Sequence, residues 1–481
     1  MRSSLRARRA NLDMALEPPA GLLALTGEHG FAWRSPGRTL VAAGVAARIP
    51  VAPGPRRLER LAATVGSLLG PAWTADSGPL AVGALPFDDA TPGELTVPAL
   101  ILEPAPGGGV LATSVAAGTD PPDPAALAAR LLLRSGLGLG GEAGSGGSLR
   151  GRDPGRGPEV PEVPGDPGRG PEVPGGPGSA AEVPGGPGFG GEVPGGSGFG
   201  GQLPARPGSS RARVRVVPRW ERPGWRAAVT AVLEEIAAGR LDKAVLAREV
   251  LVEADRPFSR AALLSRLAAR GAGAYLYASG GFVGASPELL VARSGRVARS
   301  RPLAGTVPRG ASPSGDAASL AWLRGSAKDA LEHRLVVEAV TGALAKAADR
   351  VEVSATRVVR LPTVAHLGTE LTASLGDPAP SALDLVALLH PTPAVAGTPP
   401  QAALDLLARL EPSSRGLYAG PVGWVDGAGD GEWAVALRCA NLEGRRARLF
   451  AGAGIVAGSD PDAEWDETDS KLRAMLDVLS P

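Results

Sequence analysis

The chain has 481 residues, with 50 Lys and Arg against 49 Asp and Glu, a formal net charge of +1 and a single cysteine, Cys439. That length can bury a sizeable core, and the balanced charge gives no global pull toward nucleic acid or an anionic membrane. A lone cysteine excludes an internal disulfide framework and a multi-cysteine zinc site. The first 25 residues carry arginines, but Asp13, Glu17, Pro18 and Pro19 interrupt the apolar stretch a signal peptide requires. No uncharged apolar window of about 18 residues occurs. These features predict a soluble, cytoplasmic protein with neither nucleic acid nor membrane as partner.

Short apolar runs at 22–25, 80–85 and 99–102 and a helix over 55–69 make residues 1–135 a mixed α and β segment. Residues 136–210 then hold 27 Gly and 13 Pro in 75 positions, and Glu-Val-Pro-Gly recurs at 162–165, 172–175, 182–185 and 192–195. Each ten-residue unit offers too little apolar surface to offset the entropy of ordering it. The segment therefore reads as a disordered insertion within one fold, because loop-closure entropy grows only logarithmically with length.

From 211 to 481 the pattern sharpens. A helix is expected over 224–240, with Trp225, Val229, Val232, Leu233 and Ile236 on one face, and a strand over 243–252. Runs at 274–278, 282–284, 289–293 and 297–299, separated by Gly-Gly and Ser-Gly, read as hairpins. A long helix follows over 325–348, then strands at 351–359 and 366–371, helices at 382–389 and 400–410, strands at 420–425, 432–440 and 446–451, and a final helix over 463–479. Hairpins and helices alternate without a βαβ rhythm, which predicts an α+β fold of large antiparallel sheets packed with helices.

Two helices place carboxylates on one face. Asp329, Glu332 and His333 stand at i, i+3 and i+4 on the first, and Glu464, Glu467 and Lys471 at i, i+3 and i+7 on the last. A solvated polar face is the plain explanation of either alone; together they suit a clamp for Mg²⁺, which takes oxygen ligands. His29, His333, His366 and His390 lack zinc spacing. The Gly-Ala-Ser286-Pro turn lacks a nucleophile elbow's second glycine, and Cys439 lies in an apolar strand. Gly452 and Gly454 are not followed by a phosphate-loop Lys. Lys243 and Arg438 are basic residues within apolar strands, at an edge or facing a polar pocket.

Together these segments resemble the chorismate-utilising enzymes, the group that includes isochorismate, salicylate, anthranilate and aminodeoxychorismate synthases. The resemblance spans about 225–479 through DKAVLAR (242–248), GASPELLV (284–291), RPLAGT (301–306), KDALEH (328–333), LHPTPAVAGTP (389–399), YAGPVGW (418–424), ALRCA (436–440), LFAGAGIV (449–456) and EWDETDSKL (464–472). It implies a single anthranilate synthase component I-like fold, in which 1–135 supplies the first half, and chorismate as substrate. Lys243 matches the water-activating lysine where ammonia-using members carry Gln, and Ala304 stands where aminodeoxychorismate synthases carry a nucleophilic Lys. His390-Pro-Thr-Pro-Ala-Val is closest to the isochorismate synthase version.

The resemblance thus implies an isochorismate synthase of menaquinone or siderophore biosynthesis, with salicylate synthase, which goes on to eliminate pyruvate, as the alternative and an idle chorismate-binding scaffold as a third. It assigns Lys243 as base and Glu288 as acid, and Glu332 and Glu467 as Mg²⁺ ligands with Asp329 and Glu464 auxiliary. Arg438 and Tyr418 would grip the enolpyruvyl carboxylate beside Gly452, Gly454 and Lys471, and Gly305, Thr306 and His390 would line the pocket. A monomer is the implied state. A lysine serves as base near neutrality only where its surroundings disfavour the ammonium form, and Glu288 must hold a proton to act as acid.

Overall fold

The computed structural model describes residues 4–12, 22–23, 25–27, 30–74, 78–135, 201–202, 213–271 and 275–480. His29 and the 136–210 insertion, apart from 201–202, lie outside them. Among the described residues every strand pair is antiparallel, and the strands form sheets of 13, nine and three. This is the α+β architecture expected. No helix of the described residues is long and apolar enough to cross a membrane.

Both large sheets interleave the two ends of the chain. In the 13-stranded sheet Phe31–Arg34 pairs with Tyr275–Ser279, and in the nine-stranded sheet Leu80–Ala84 pairs with Pro421–Asp426. Trp33, Tyr277, Val82 and Trp433, drawn from both sheets, share one apolar cluster, and the Trp33 indole N–H donates to Glu432 across it at 2.9 Å. A second cluster packs the helices Pro124–Ser135, Arg260–Arg270 and Pro461–Leu479 on the 13-stranded sheet. A third seats Trp225 and Trp465 on Leu246, Ala453 and Ile455.

The helix expected over 325–348 is Ala327–Leu344, and an additional helix, Pro313–Gly325, ends just before it at Ser326. Ser326 Oγ accepts from the Asp329 N–H at 3.2 Å, a cap that starts a new helix. The strand expected over 432–440 is Gly431–Val435 of the nine-stranded sheet followed by Cys439–Glu443 of the 13-stranded one. Arg438 sits in the gap with φ 48°, a left-handed conformation that ends strand geometry. The region expected as strands at 351–359 and 366–371 is four strands, Ala348–Val353, Arg357–Arg360, Val364–Gly368 and Leu371–Leu375.

Candidate active site

Two of the points at which the chain passes between the large sheets each leave a charged side chain on the same cavity. Ser286 ends a strand of the 13-stranded sheet, Leu289 begins one of the nine-stranded sheet, and Glu288 lies between them. Pro287 has no N–H for a ladder, and the Glu288 N–H instead bonds Ser286 Oγ at 3.2 Å. The return crossing carries Arg438. The cavity of about 50 Å³ is lined by Glu288, Gly305, Thr306, Glu332, Tyr418 and Arg438, with Gly452, Gly454 and Lys471 also in its wall.

Lys243 opens the strand Lys243–Ala254, held between Val456 on one side and Thr398 on the other, and is 0 % exposed. It stands just behind the cavity wall. Its Nζ lies 3.0 Å from Glu332 Oε1, a buried ion pair. Gly454 makes the contact possible: a Cβ there would sit 2.0 Å from Glu332 Oε1 and 3.0 Å from Lys243 Cε. Burial works to raise the Glu332 carboxyl, but the charges of Lys243 and Lys471 hold it below its ordinary range.

Glu288 has the opposite fate. Burial pushes its carboxyl up to about 8, against the opposing fields of Lys243, Arg438 and Lys471. It therefore carries a proton at neutral pH. Burial also raises the Tyr418 hydroxyl to about 12 and the Cys439 thiol to about 12, so Cys439 is an inert core residue, as its apolar strand implied.

Gly305 and Thr306, on the strand Leu303–Pro308, point N–H groups at the first acidic helix. Gly305 N–H donates to Glu332 Oε2 at 3.3 Å and Thr306 N–H to Asp329 Oδ1 at 3.2 Å. Gly305 has φ +70°, and a Cβ on it would meet Asp329 Cβ at 2.8 Å. On the last helix Lys471 Nζ donates to Glu467 Oε1 at 2.5 Å and to the Gly452 carbonyl at 2.9 Å, while Lys328 pairs with Glu464.

The carboxylates of the two helices feel one another. Glu464 is pushed up to about 7 by burial and then by the charge of Glu467; Asp329 is raised by burial, with Glu332 and Glu467 adding to it. A mutually repelling, all-oxygen set suits a hard dication. Each member is now taken by a lysine, a hydroxyl or a backbone N–H. Among the described residues no three His, Cys, Asp or Glu side chains are gathered closely enough to hold a metal.

His390 is a correction: it is absent from the cavity wall, and its Nε2 meets the Phe87 carbonyl at 3.0 Å. It ends the helix Ala382–Leu389, and the chain beyond it reaches the cavity through Ala394 and Val395. The histidine that lines the cavity is His366, on the fully buried strand Val364–Gly368. Arg438 lies 3.3 Å from His366 Nε2, and a guanidinium can only donate, so Nε2 accepts and Nδ1 carries the proton toward the Gly305 carbonyl at 3.2 Å. Burial, then Arg438, keeps this imidazole neutral. Arg415 also lines the cavity, tied to Glu411 and to the carbonyls of Val395 and Val245. A histidine in an otherwise apolar strand is the one sequence signal that separates His366 from His390.

The family described as chorismate binding enzyme matches residues 205–480. Isochorismate synthase DhbC of Bacillus subtilis is 40% identical over 259 residues, which span 51% of this chain and 65% of that relative. The crystal structure of a putative 2,3-dihydroxybenzoate-specific isochorismate synthase, DhbC from Bacillus anthracis, superposes with a TM-score of 0.69 at 27% identity, covering 96% of this chain and 99% of the other. Anthranilate synthase component I from Streptococcus pneumoniae shares the fold, with a TM-score of 0.57 at 17% identity, 98% of this chain and 92% of the other being covered. The matched residues include both sheet crossings and both acidic helices that build this cavity, and they place the chain in the chorismate binding enzyme family.

Proposed function

We propose that this chain is an isochorismate synthase, which interconverts chorismate and isochorismate by adding water at C2 of the ring and releasing the C4 hydroxyl. One observation carries the reading: a fully buried lysine, Lys243, paired with Glu332 at 3.0 Å, lies within electrostatic reach of Glu288, a carboxyl that burial keeps protonated to about pH 8. Relatives named isochorismate synthase support it.

In this mechanism Lys243 first yields its own proton to solvent as the pair with Glu332 opens, and the neutral amine then takes a proton from the attacking water as the C2–O bond forms. The ring double bonds shift, the C4–O bond breaks, and Glu288 gives its proton to the departing oxygen. One water enters and one leaves, so the reaction is an isomerisation, and acid and base exchange roles in reverse. Arg438, oriented by His366, binds the enolpyruvyl carboxylate with two N–H groups beside Tyr418 and Lys471. Gly452 and Gly454 leave the wall free of side chains, and Gly305 and Thr306 close the ring side. Glu332 and Glu467, with Asp329 and Glu464 auxiliary, are the residues that would hold Mg²⁺, which when bound supplies positive charge for the ring carboxylate. We place the enzyme in the cytoplasm as a monomer.

Purified protein incubated with chorismate and Mg²⁺, with products identified by NMR, tests the reading. Isochorismate is expected. Salicylate with pyruvate, or an aminated product formed only with ammonia, would overturn it.

A further inference from the structure

We propose that a cleft on the outer side of the Ala327–Leu344 helix is a second binding site, for a small organic polyanion. The cleft measures about 730 Å³, and Arg324, Arg334, Arg357 and Arg360 stand around it with no Asp or Glu in its wall. Among the described residues neither Arg324 nor Arg357 has an ion-pair or hydrogen-bond partner. Arg360 lies within the field of Asp316, which Arg309 already occupies. Arg334 faces Glu338 at 3.8 Å, both side chains being more than 60% exposed, a pairing that solvent screens. Four converging cations without a counter-charge in the wall repel one another, and a multiply charged anion relieves that repulsion.

A chain of polar side chains backs the arginines. His333 lines the cleft at 3% exposure, and its Nδ1 has no hydrogen-bond partner. Its Nε2 meets Thr369 Oγ1 at 2.8 Å, and Thr369 meets Thr356 Oγ1, also in the wall, at 2.9 Å. Unpartnered buried polar atoms are uncommon in folded proteins, and this one lies closed off behind the cleft wall. Val337, Val353 and Leu367 supply apolar wall, which suits an organic body carrying the charges. Both a phosphate ester and a polycarboxylate have this chemistry.

The cleft and the catalytic cavity are back to back. Glu332 and His333 are successive residues on one helix, and His366 and Leu367 on one strand, with the first of each pair in the cavity wall and the second in the cleft wall. The two sites are therefore separable by substitution.

The test is calorimetric titration of the full chain with pyrophosphate and with citrate, at low and at physiological salt. One saturable site per chain is expected, retained in Arg438→Ala, which removes the anion grip of the catalytic cavity. Binding should weaken about tenfold or more in Arg357→Glu/Arg360→Glu. Both arginines are exposed; should that variant fail to fold, Arg324→Ala gives the same readout. Tighter pyrophosphate identifies a phosphate ester, tighter citrate a polycarboxylate. Binding lost in Arg438→Ala but kept in the cleft variants overturns the proposal, as does the lack of saturable binding of either anion.

Discussion

Gly454 leaves no room for a side chain, since a Cβ would overlap the Glu332 carboxylate that holds Lys243. Gly454→Ala should therefore displace that pair and lower kcat by about 10²-fold, the scale of a roughly 1 Å misplacement, with secondary structure by circular dichroism intact. Glu288 governs the pH response. Glu288→Gln should lose about 10²- to 10⁴-fold in kcat, the usual contribution of a proton donor. In the unaltered enzyme, kcat/KM for chorismate should fall as pH rises through about 8, where the donor loses its proton. Stability carries the same sign: the folded carboxyl titrates near 8 against an ordinary 4.5, so between those values the folded state keeps a proton that the unfolded chain has released. Urea-unfolding free energy should drop across that interval, and drop less in Glu288→Gln. Lys243 and Arg438 were legible in the sequence because basic residues among apolar neighbours break a pattern, whereas Glu288 stood out only through the family resemblance. His366 differed from His390 there only in lying within an apolar strand, and which carbonyl or guanidinium each meets was settled by the fold.

The last helix, Pro461–Leu479, is fixed to its sheet by a residue outside the cavity. Arg248, 1% exposed on the same strand as Lys243, donates to Thr468 Oγ1 at 2.5 Å, pairs with Asp469, and lies over the Trp465 ring at 3.9 Å. Its neighbours Glu464, Glu467 and Lys471 face the other acidic helix. Arg248→Ala should cost about 3 kcal/mol, as expected when one partner of a buried pair is removed, read as a lower urea midpoint with kcat reduced in parallel. The helices at 382–389 and 400–410 were predictable to the residue, because Ser381 closes a capping box and Pro399 and Pro400 mark the second start. The helix Pro313–Gly325 was not, because Pro313, Ser314, Gly315 and Gly325 are poor helix formers and the packing of Leu320 and Leu323 supports it. The division of 432–440 between two sheets was hidden because both strands are apolar and β-prone.

The whole molecule is one interleaved unit, with strands of the first 135 residues bonded into both large sheets. A chain beginning at 211 would expose unpaired edges in each, and it should show no cooperative unfolding transition by calorimetry. Removing 150–199, by contrast, should change unfolding free energy by less than about 1 kcal/mol, because closure entropy varies slowly with loop length, and turnover should be unchanged. The amino-acid order by itself determined the element types, the repeat insertion and the two acidic helices, since periodicity, caps and charge placement are local properties of the chain. Tertiary structure alone decided that Glu288 is neutral while Glu332 is ionised. Both are buried carboxyls that feel Lys243 and Lys471, and their difference lies in contact, since Lys243 pairs directly with Glu332 at 3.0 Å and Lys328 adds to its field. It also decided that the chain crosses between sheets at Glu288 and Arg438, because such a crossing depends on which strands pair across hundreds of residues.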